Sequence, residues 1–184
     1  YPRVRFVLAG EGPRREALEA QARALGLGDR FVFAGFVRDV AAALAAFDLV
    51  VFPSLWEGTP LTAFEALAAG KAIVSTDADG LLDVLTDDRD AVIVPRRDAA
   101  ALAEAIVSLL ERPEERARLA AAATATGHRY DIGVFVEKME RLYAWLVDDR
   151  RRGSRRVALD ADLSFLGPRP TPQAAPRRRP AAEP

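Results

Sequence analysis

The stretch DLVVFPSLWEGTPLTAFEALAAG, from Asp48 to Gly70, decides the fold. Its first seven residues, Asp48 to Ser54, form a nearly continuous apolar run, short enough for a strand and suited to one covered on both faces. A glycine-containing loop, LWEG, follows. The next residues then read as a helix from about Pro60 to Ala69, with Thr59 as its N-cap and Gly70 as its stop. A strand that crosses a short loop into a helix is one βα unit, and a chain of such units builds a parallel sheet flanked by helices.

Working outward, the same alternation recurs. Val4–Gly10 (VRFVLAG) reads as a strand ending in a glycine turn, and a helix opens near Pro13, with Leu18, Ala22 and Leu25 on one face and Gly26 and Gly28 beyond its end. Phe31–Gly35 (FVFAG) is a second strand, and Asp39 is placed to cap a short Ala-rich helix through Ala46. Downstream, Ala72–Thr76 and Ala91–Pro95 are strands four and five. Helices are expected from Asp98 to Leu110, from Pro113 to about Thr126, and from about Ile132 to Leu146 with Phe135, Met139, Leu142 and Leu146 on one face. The fold class is therefore α/β, a Rossmann-like parallel sheet flanked by helices. A doubly wound sheet usually begins with a strand that ends up central, flanked by later ones; this chain opens directly on its strand at Arg3, which is unusual. Residues 1–148 are read as one domain and residues 149–184 as an Arg/Pro-rich disordered tail, since six of the twelve Pro fall in the last eighteen residues.

Composition removes several classes of function. Half of the 184 residues are apolar, enough for a sizeable core. The net charge of -1 conceals nine Arg against three acidic residues from Arg150 onward, which leaves -7 on residues 1–149. An acidic body is a poor general binder of nucleic acid. No Cys and a single His, His128, exclude a thiol nucleophile, a thiolate metal site and a histidine cluster. No apolar run reaches the roughly 20 residues of a membrane span, and the first residues lack a signal-peptide layout. The chain is read as soluble and cytoplasmic, with the Arg runs at 150–156 and 177–179 leaving open a peripheral association with anionic lipid at the inner membrane face.

The turn before the helix at Leu61 has the geometry in which backbone N–H groups and a helix dipole hold an anion, above all a diphosphate. The donors are the N–H groups of Leu61 to Ala63 and the hydroxyls of Thr59 and Thr62. Many βα turns bind nothing, so a second signal is needed. Glu65 supplies one. It lies among Leu61, Ala63, Phe64, Ala66, Leu67, Ala68 and Ala69, on a helix apolar nearly all round and hence expected to be buried. Either Glu65 occupies a narrow solvent stripe, or it accepts hydrogen bonds from ligand hydroxyls as acidic residues do from ribose. Glu57, in the loop before the helix, is a second carboxylate. Trp56 beside it either stacks on a ligand or anchors the turn. His128 reads as a surface residue, Tyr143 and Trp145 as packing residues, and the GEGP turn at Gly10–Pro13 as turn chemistry rather than a phosphate loop.

Glu57 and Glu65 stand in an E-x7-E arrangement within PSLWEGTPLTAFEALAAG. This resembles the signature of retaining glycosyltransferases of the GT-B fold, closest to the large family-4 group that uses sugar nucleotides. VRFVLAGEGPRREALEAQARALGLGDRFVFAGFV is similar to the family's strand–GxGP–helix–strand opening, STDADGLLDVL to its later glycine loop with Gly80 in the glycine position, DAVIVPRRDAAALAEAIVSLL to the next strand and helix, and HRYDIGVFVEKMERLYAWL to the closing helix. The resemblance covers about residues 3–147. It implies the nucleotide-sugar donor half of a two-domain enzyme whose acceptor domain lies upstream of Tyr1. Glu65 would then bind the ribose, and Glu57, the catalytic carboxylate, would contact the transferred sugar near its reacting carbon. Gly58, Thr59, Pro60, Leu61 and Thr62 would border the diphosphate and sugar, and Gly35, Phe36 and Val37 would line the base pocket.

The resemblance further implies retention of anomeric configuration, a nucleotide-diphospho-sugar as donor substrate, no cofactor and no metal, because basic groups and helix dipoles neutralise the leaving diphosphate. The acceptor would be lipid-linked or a glycan. The departures are specific. The family's Arg and Lys that grip the diphosphate would precede Tyr1, on a first strand and helix that the resemblance implies are missing; Lys71 and Arg38 do not occupy their positions, and Asp90-Ala91 stands where Asn-Gly or His-Gly is common. A truncated, non-catalytic sugar-nucleotide-binding module is the alternative reading. A nucleotide-sugar epimerase fits less well, for want of further acids and His.

Overall fold

The computed structural model describes residues 1–151, and those residues form two compact units, Tyr1–Ala46 and Phe47 onward. In the first unit a parallel pair of strands, β1 (Phe6–Ala9) and β2 (Phe31–Gly35), is joined by helix α1 (Arg15–Ala24) and a 3-10 turn at Gly28–Arg30; helix α2 (Val40–Ala46) follows. The register sets Phe6 against Phe31 and Leu8 against Phe33, with a bulge between Leu8 and Ala9. Phe6 stacks on Phe31 at 5.8 Å between ring centres, and Phe31 lies 4.9 Å from Phe33. Asp39 caps α2 as its position predicts, accepting from the Ala42 N–H at 2.9 Å. Little of this unit is buried. Ala22, Leu44 and Gly35 are its buried residues.

The second unit holds a three-stranded parallel sheet of order β3 (Val50–Phe52), β4 (Ile73–Thr76) and β5 (Val92–Val94). The five parallel strands thus pair as two sheets. All four residues of central β4 are buried, Ile73 and Val74 as apolar residues and Ser75 and Thr76 with their hydroxyls bonded to the Thr76 and Ser54 carbonyls. The helices are α3 (Leu61–Ala68), α4 (Asp79–Leu82), α5 (Ala99–Glu111), α6 (Pro113–Gly127) and α7 (Ile132–Arg151). Ala72, Val74, Val92 and Val94 pack with Ala105 and Leu109 of α5 and Leu119 of α6 as one core. Asp98 caps α5 by accepting from the Ala101 N–H at 2.9 Å. Helices α3 and α6 touch closely at Gly127, where a Cβ would fall 2.8 Å from the Ala68 nitrogen. Only glycine lets the two backbones approach so far.

A charged residue sits in this core. Asp90 is fully buried, and its carboxylate accepts from the Thr86 N–H (2.7 Å), the Thr126 hydroxyl (2.8 Å) and the Arg89 guanidinium (2.7 and 3.0 Å). Every carboxylate oxygen has a partner, the condition under which a buried charge is tolerated.

The last helix departs from expectation. It runs on past Leu146 to Arg151, and Phe135 and Tyr143, expected to pack, are more than half exposed. Met139, Leu142, Trp145 and Leu146 are half-buried. His128 is exposed at the end of α6, as expected. The expected tail begins at residue 149, but residues 149–151 continue α7, and residues 152–184 lie outside the described residues. Among the described residues no helix is long and apolar enough to cross a membrane.

Candidate functional site

Because β3, β4 and β5 run parallel, the loops that follow them emerge at one edge of the sheet, Phe52 pairing with Ser75 and Thr76 with Val94. Ligands of open α/β sheets bind at this carboxyl edge. Three loops meet there: residues 53–60 after β3, Asp77 and Ala78 after β4, and Pro95 to Asp98 after β5.

Glu57 lies in the first loop, half-buried, with its Oε1 accepting from the Ser54 hydroxyl at 2.8 Å. The main chain of that loop is held at three points. Thr76 Oγ1 donates to the Ser54 carbonyl at 2.5 Å, Arg96 Nη1 to the Leu55 carbonyl at 3.1 Å, and the Gly80 N–H to the Glu57 carbonyl at 3.2 Å. Gly80 is buried against the loop so tightly that a Cβ there would lie 2.1 Å from the Gly58 carbonyl oxygen. Its glycine identity is thus a packing requirement of the Glu57–Gly58 backbone. The glycine expected in a loop is in fact the second residue of the short helix α4.

Two expectations about α3 need correction. Pro60, buried with φ −77° and ψ 85°, takes the cap position itself, so Thr59 falls one residue outside and no side chain caps the helix. The reason is the backbone of Pro60 itself: its ψ of 85° lies outside the helical region, so the first helical residue is Leu61. The Ala63 N–H is satisfied by the Pro60 carbonyl at 2.9 Å, leaving the N–H groups of Leu61 and Thr62 at the open end of the helix. The second correction concerns Glu65. The helix is not buried all round: Ala63, Ala66 and Leu67 face the core, whereas Leu61, Thr62, Glu65, Ala68 and Ala69 are exposed. Glu65 therefore stands on a solvent face, one turn beyond Leu61 and about 6 Å further along the axis at 1.5 Å per residue. Among the described residues its carboxylate makes no hydrogen bond or ion pair.

Gly58 and Thr59 are exposed beside Glu57. Trp56 is 74 % exposed, so it does not anchor the turn and its ring face is open. Gly35, Phe36 and Val37 belong to the first unit, at the end of β2: Gly35 buried with φ +66°, Phe36 exposed, Val37 half-buried. Lys71 is turned to the Phe47 carbonyl at 2.9 Å, at the opposite end of the β3–β4 pair from Glu57.

Sequence reasoning overlooked Ser54, Thr76, Asp77 and Arg96. Each is a polar residue at or just past the end of a strand, and that position was the available signal. Arg96 is the hub: besides Leu55, it bonds Asp77 Oδ1 through its own N–H (2.8 Å) and Nε (3.1 Å), and Asp79 Oδ1 through Nη2 at 3.4 Å.

Comparison with known proteins places this geometry. The profile of the family described as glycosyl transferases group 1 matches residues 1–112. The chain is 35% identical over 124 residues to a 2-deoxystreptamine N-acetyl-D-glucosaminyltransferase of Streptomyces fradiae, covering 66% of this chain and 30% of that protein. It is 36% identical over 143 residues to a phosphatidyl-myo-inositol mannosyltransferase of Mycobacterium leprae, covering 76% and 37%. The crystal structure of Anabaena HepE in complex with UDP superposes with a TM-score of 0.73 at 25% identity, over 78% of this chain and 42% of that one. The chain spans about a third of the length of the curated relatives it matches. With its parallel α/β sheets, the chain belongs to the glycosyl transferases group 1 family and has the fold of the C-terminal domain of a GT-B glycosyltransferase.

Proposed function

We propose that this chain forms the donor half of a retaining, metal-independent glycosyltransferase that takes a sugar from a nucleotide-diphospho-sugar. The observation that carries the reading is the placing of two carboxylates around one open helix end. Glu57 is fixed at the mouth of the β3 loop, Glu65 is presented free on the exposed face of α3, and the N–H groups of Leu61 and Thr62 lie between them. In this reading the diphosphate rests on the α3 N-terminus, whose partial positive charge stabilises it. The ribose hydroxyls donate to Glu65 and the sugar hydroxyls to Glu57. Gly58 and Thr59 supply close backbone approach, and the positive helix end takes the charge of the leaving diphosphate where a metal ion otherwise would. The acceptor, lipid-linked or glycan, would be bound by residues outside this chain, at the cytoplasmic face of the membrane.

The test is thermal unfolding of the chain alone and with UDP, GDP, ADP or dTDP. A nucleotide at a hundred times its dissociation constant adds about 2.7 kcal/mol of stability by linkage. UDP is the nucleotide expected to act, in keeping with the HepE complex. A transition that none of the four moves would refute donor binding by this chain.

A further inference from the structure

We infer that Arg96 is a positioning residue for the Glu57 loop. The inference rests on reading Glu57 as a donor-site carboxylate. Arg96 makes four hydrogen bonds that span the three loops of the carboxyl edge. Its Nη1 reaches the Leu55 carbonyl (3.1 Å), two residues before Glu57, while its N–H and Nε share Asp77 Oδ1 (2.8 and 3.1 Å) and its Nη2 reaches Asp79 Oδ1 (3.4 Å), one residue before Gly80. The direct bond between the Glu57 and Gly80 main chains, 3.2 Å long, therefore has Arg96 gripping the chain on both sides of it. Asp77 is itself tied to the sheet, its N–H donating to the Val94 carbonyl at 2.9 Å, so the anchor is rigid. A planar fork that makes divergent bonds is a task for Arg and not for Lys, whose ammonium is a single point of contact. With its guanidinium taken up by two carboxylates and a carbonyl, Arg96 acts on the ligand through the loop and not by gripping a phosphate.

The test compares the chain with its Arg96→Met and Arg96→Lys variants by amide hydrogen exchange and by calorimetric titration with UDP. The Gly80 amide, which donates to Glu57, reports the loop; the Thr86 amide, which donates to Asp90 Oδ1 at 2.7 Å, reports the same unit away from it. Arg96→Met is expected to speed exchange at Gly80 about tenfold relative to Thr86 and to weaken UDP binding about tenfold, as loss of a charged hydrogen bond does. Lys is expected not to restore either. Equal acceleration at Gly80 and Thr86 would mean that Arg96 serves bulk stability alone, and unchanged exchange at Gly80 would mean that the loop holds itself; either overturns the inference, as does full rescue by Lys. Should Arg96→Met fail to fold, Arg96→Lys carries the same comparison. If the unaltered chain does not bind UDP, donor binding is refuted, while the exchange ratio still decides the role of Arg96.

Discussion

Replacing Glu65 by Ala separates binding from folding, because the residue stands exposed on α3 and makes no hydrogen bond or ion pair among the described residues. In the free chain the substitution removes nothing but a solvated carboxylate. Ala has a slightly higher helix propensity than Glu, and a negative charge in the second half of a helix is mildly unfavourable, so unfolding free energy should change by no more than about 0.5 kcal/mol. If Glu65 binds the ribose as proposed, two ribose hydroxyls lose a charged acceptor in the complex, at a cost of about 1.5–3 kcal/mol, or about tenfold to a hundredfold in affinity. The two effects can be read in one melt. At a UDP concentration a hundred times the dissociation constant of the unaltered chain, ligand stabilisation of about 2.7 kcal/mol should fall to about 1.4 kcal/mol for a tenfold loss and about 0.4 kcal/mol for a hundredfold loss. Glu65→Gln should fall between, keeping an acceptor but losing the charge. An Ala variant that UDP stabilises as strongly as it does the original chain would refute the ribose assignment. An Ala variant that unfolds markedly earlier without ligand would contradict the exposed placing of Glu65.

Gly80→Ala should destabilise the chain by about 3 kcal/mol or more in denaturant titration, since a Cβ 2.1 Å from the Gly58 oxygen forces the Glu57 loop to move; a change within error would show that α4 gives way instead. Asp90→Ala should cost about 3–5 kcal/mol, because Thr86, Thr126 and Arg89 all lose the same buried partner, and Asp90→Asn, which keeps the shape, should cost less in the same assay. Arg97 holds φ +61°, a conformation that costs an L-residue about 1–2 kcal/mol. Arg97→Gly should therefore raise the unfolding free energy by about 0.5–1 kcal/mol even after the larger unfolded-state entropy of Gly is counted. Glu57→Ala should leave affinity for bare UDP nearly unchanged while reducing the preference for UDP-glucose over UDP, measured by calorimetric titration; equal losses for both ligands would move Glu57 from the sugar to the diphosphate.

How much of this was legible in the sequence depended on how local the cause was. Asp39 announced its cap because an N-cap bond reaches three residues along the chain, and Asp98, read as the start of its helix, proves to be the cap just before it. Gly70 announced the end of α3 in the same way, with φ +61°. The facing of α3 was not legible because Ala carries little information about it: the core stripe is Ala63, Ala66 and Leu67, at helical spacing, but Leu61 and Ala68, equally apolar, face out, and Glu65 takes the solvent alternative. Thr59 looked like a cap because the sequence pattern fits, and only the backbone at Pro60 shows that the proline has taken that place. The grip of Arg96 on Leu55 spans 41 residues and follows from the order and register of β3, β4 and β5. No local pattern encodes it.

The two carboxylates of the site are placed by different devices, and this has a consequence for how the site can vary. Glu65 is aimed by helix geometry alone: its direction follows from Leu61 starting α3 and from Ala63, Ala66 and Leu67 fixing the rotation of the helix on the core. Glu57 is aimed by a loop with no regular backbone, and that loop is held by Ser54, Thr76 and Arg96, from the ends of the three strands, and by Gly80 of α4. Small changes at the strand ends, such as a different residue at position 96 or 77, can therefore shift Glu57 by fractions of an ångström without turning Glu65. A site that must recognise one invariant part of its ligand and one variable part gains from this division. The ribose and diphosphate are common to all donors of one nucleotide, and in the proposed reading they fall to the helix. The sugar differs between donors, and in the same reading it falls to the loop, whose supports come from separate elements and can change one at a time.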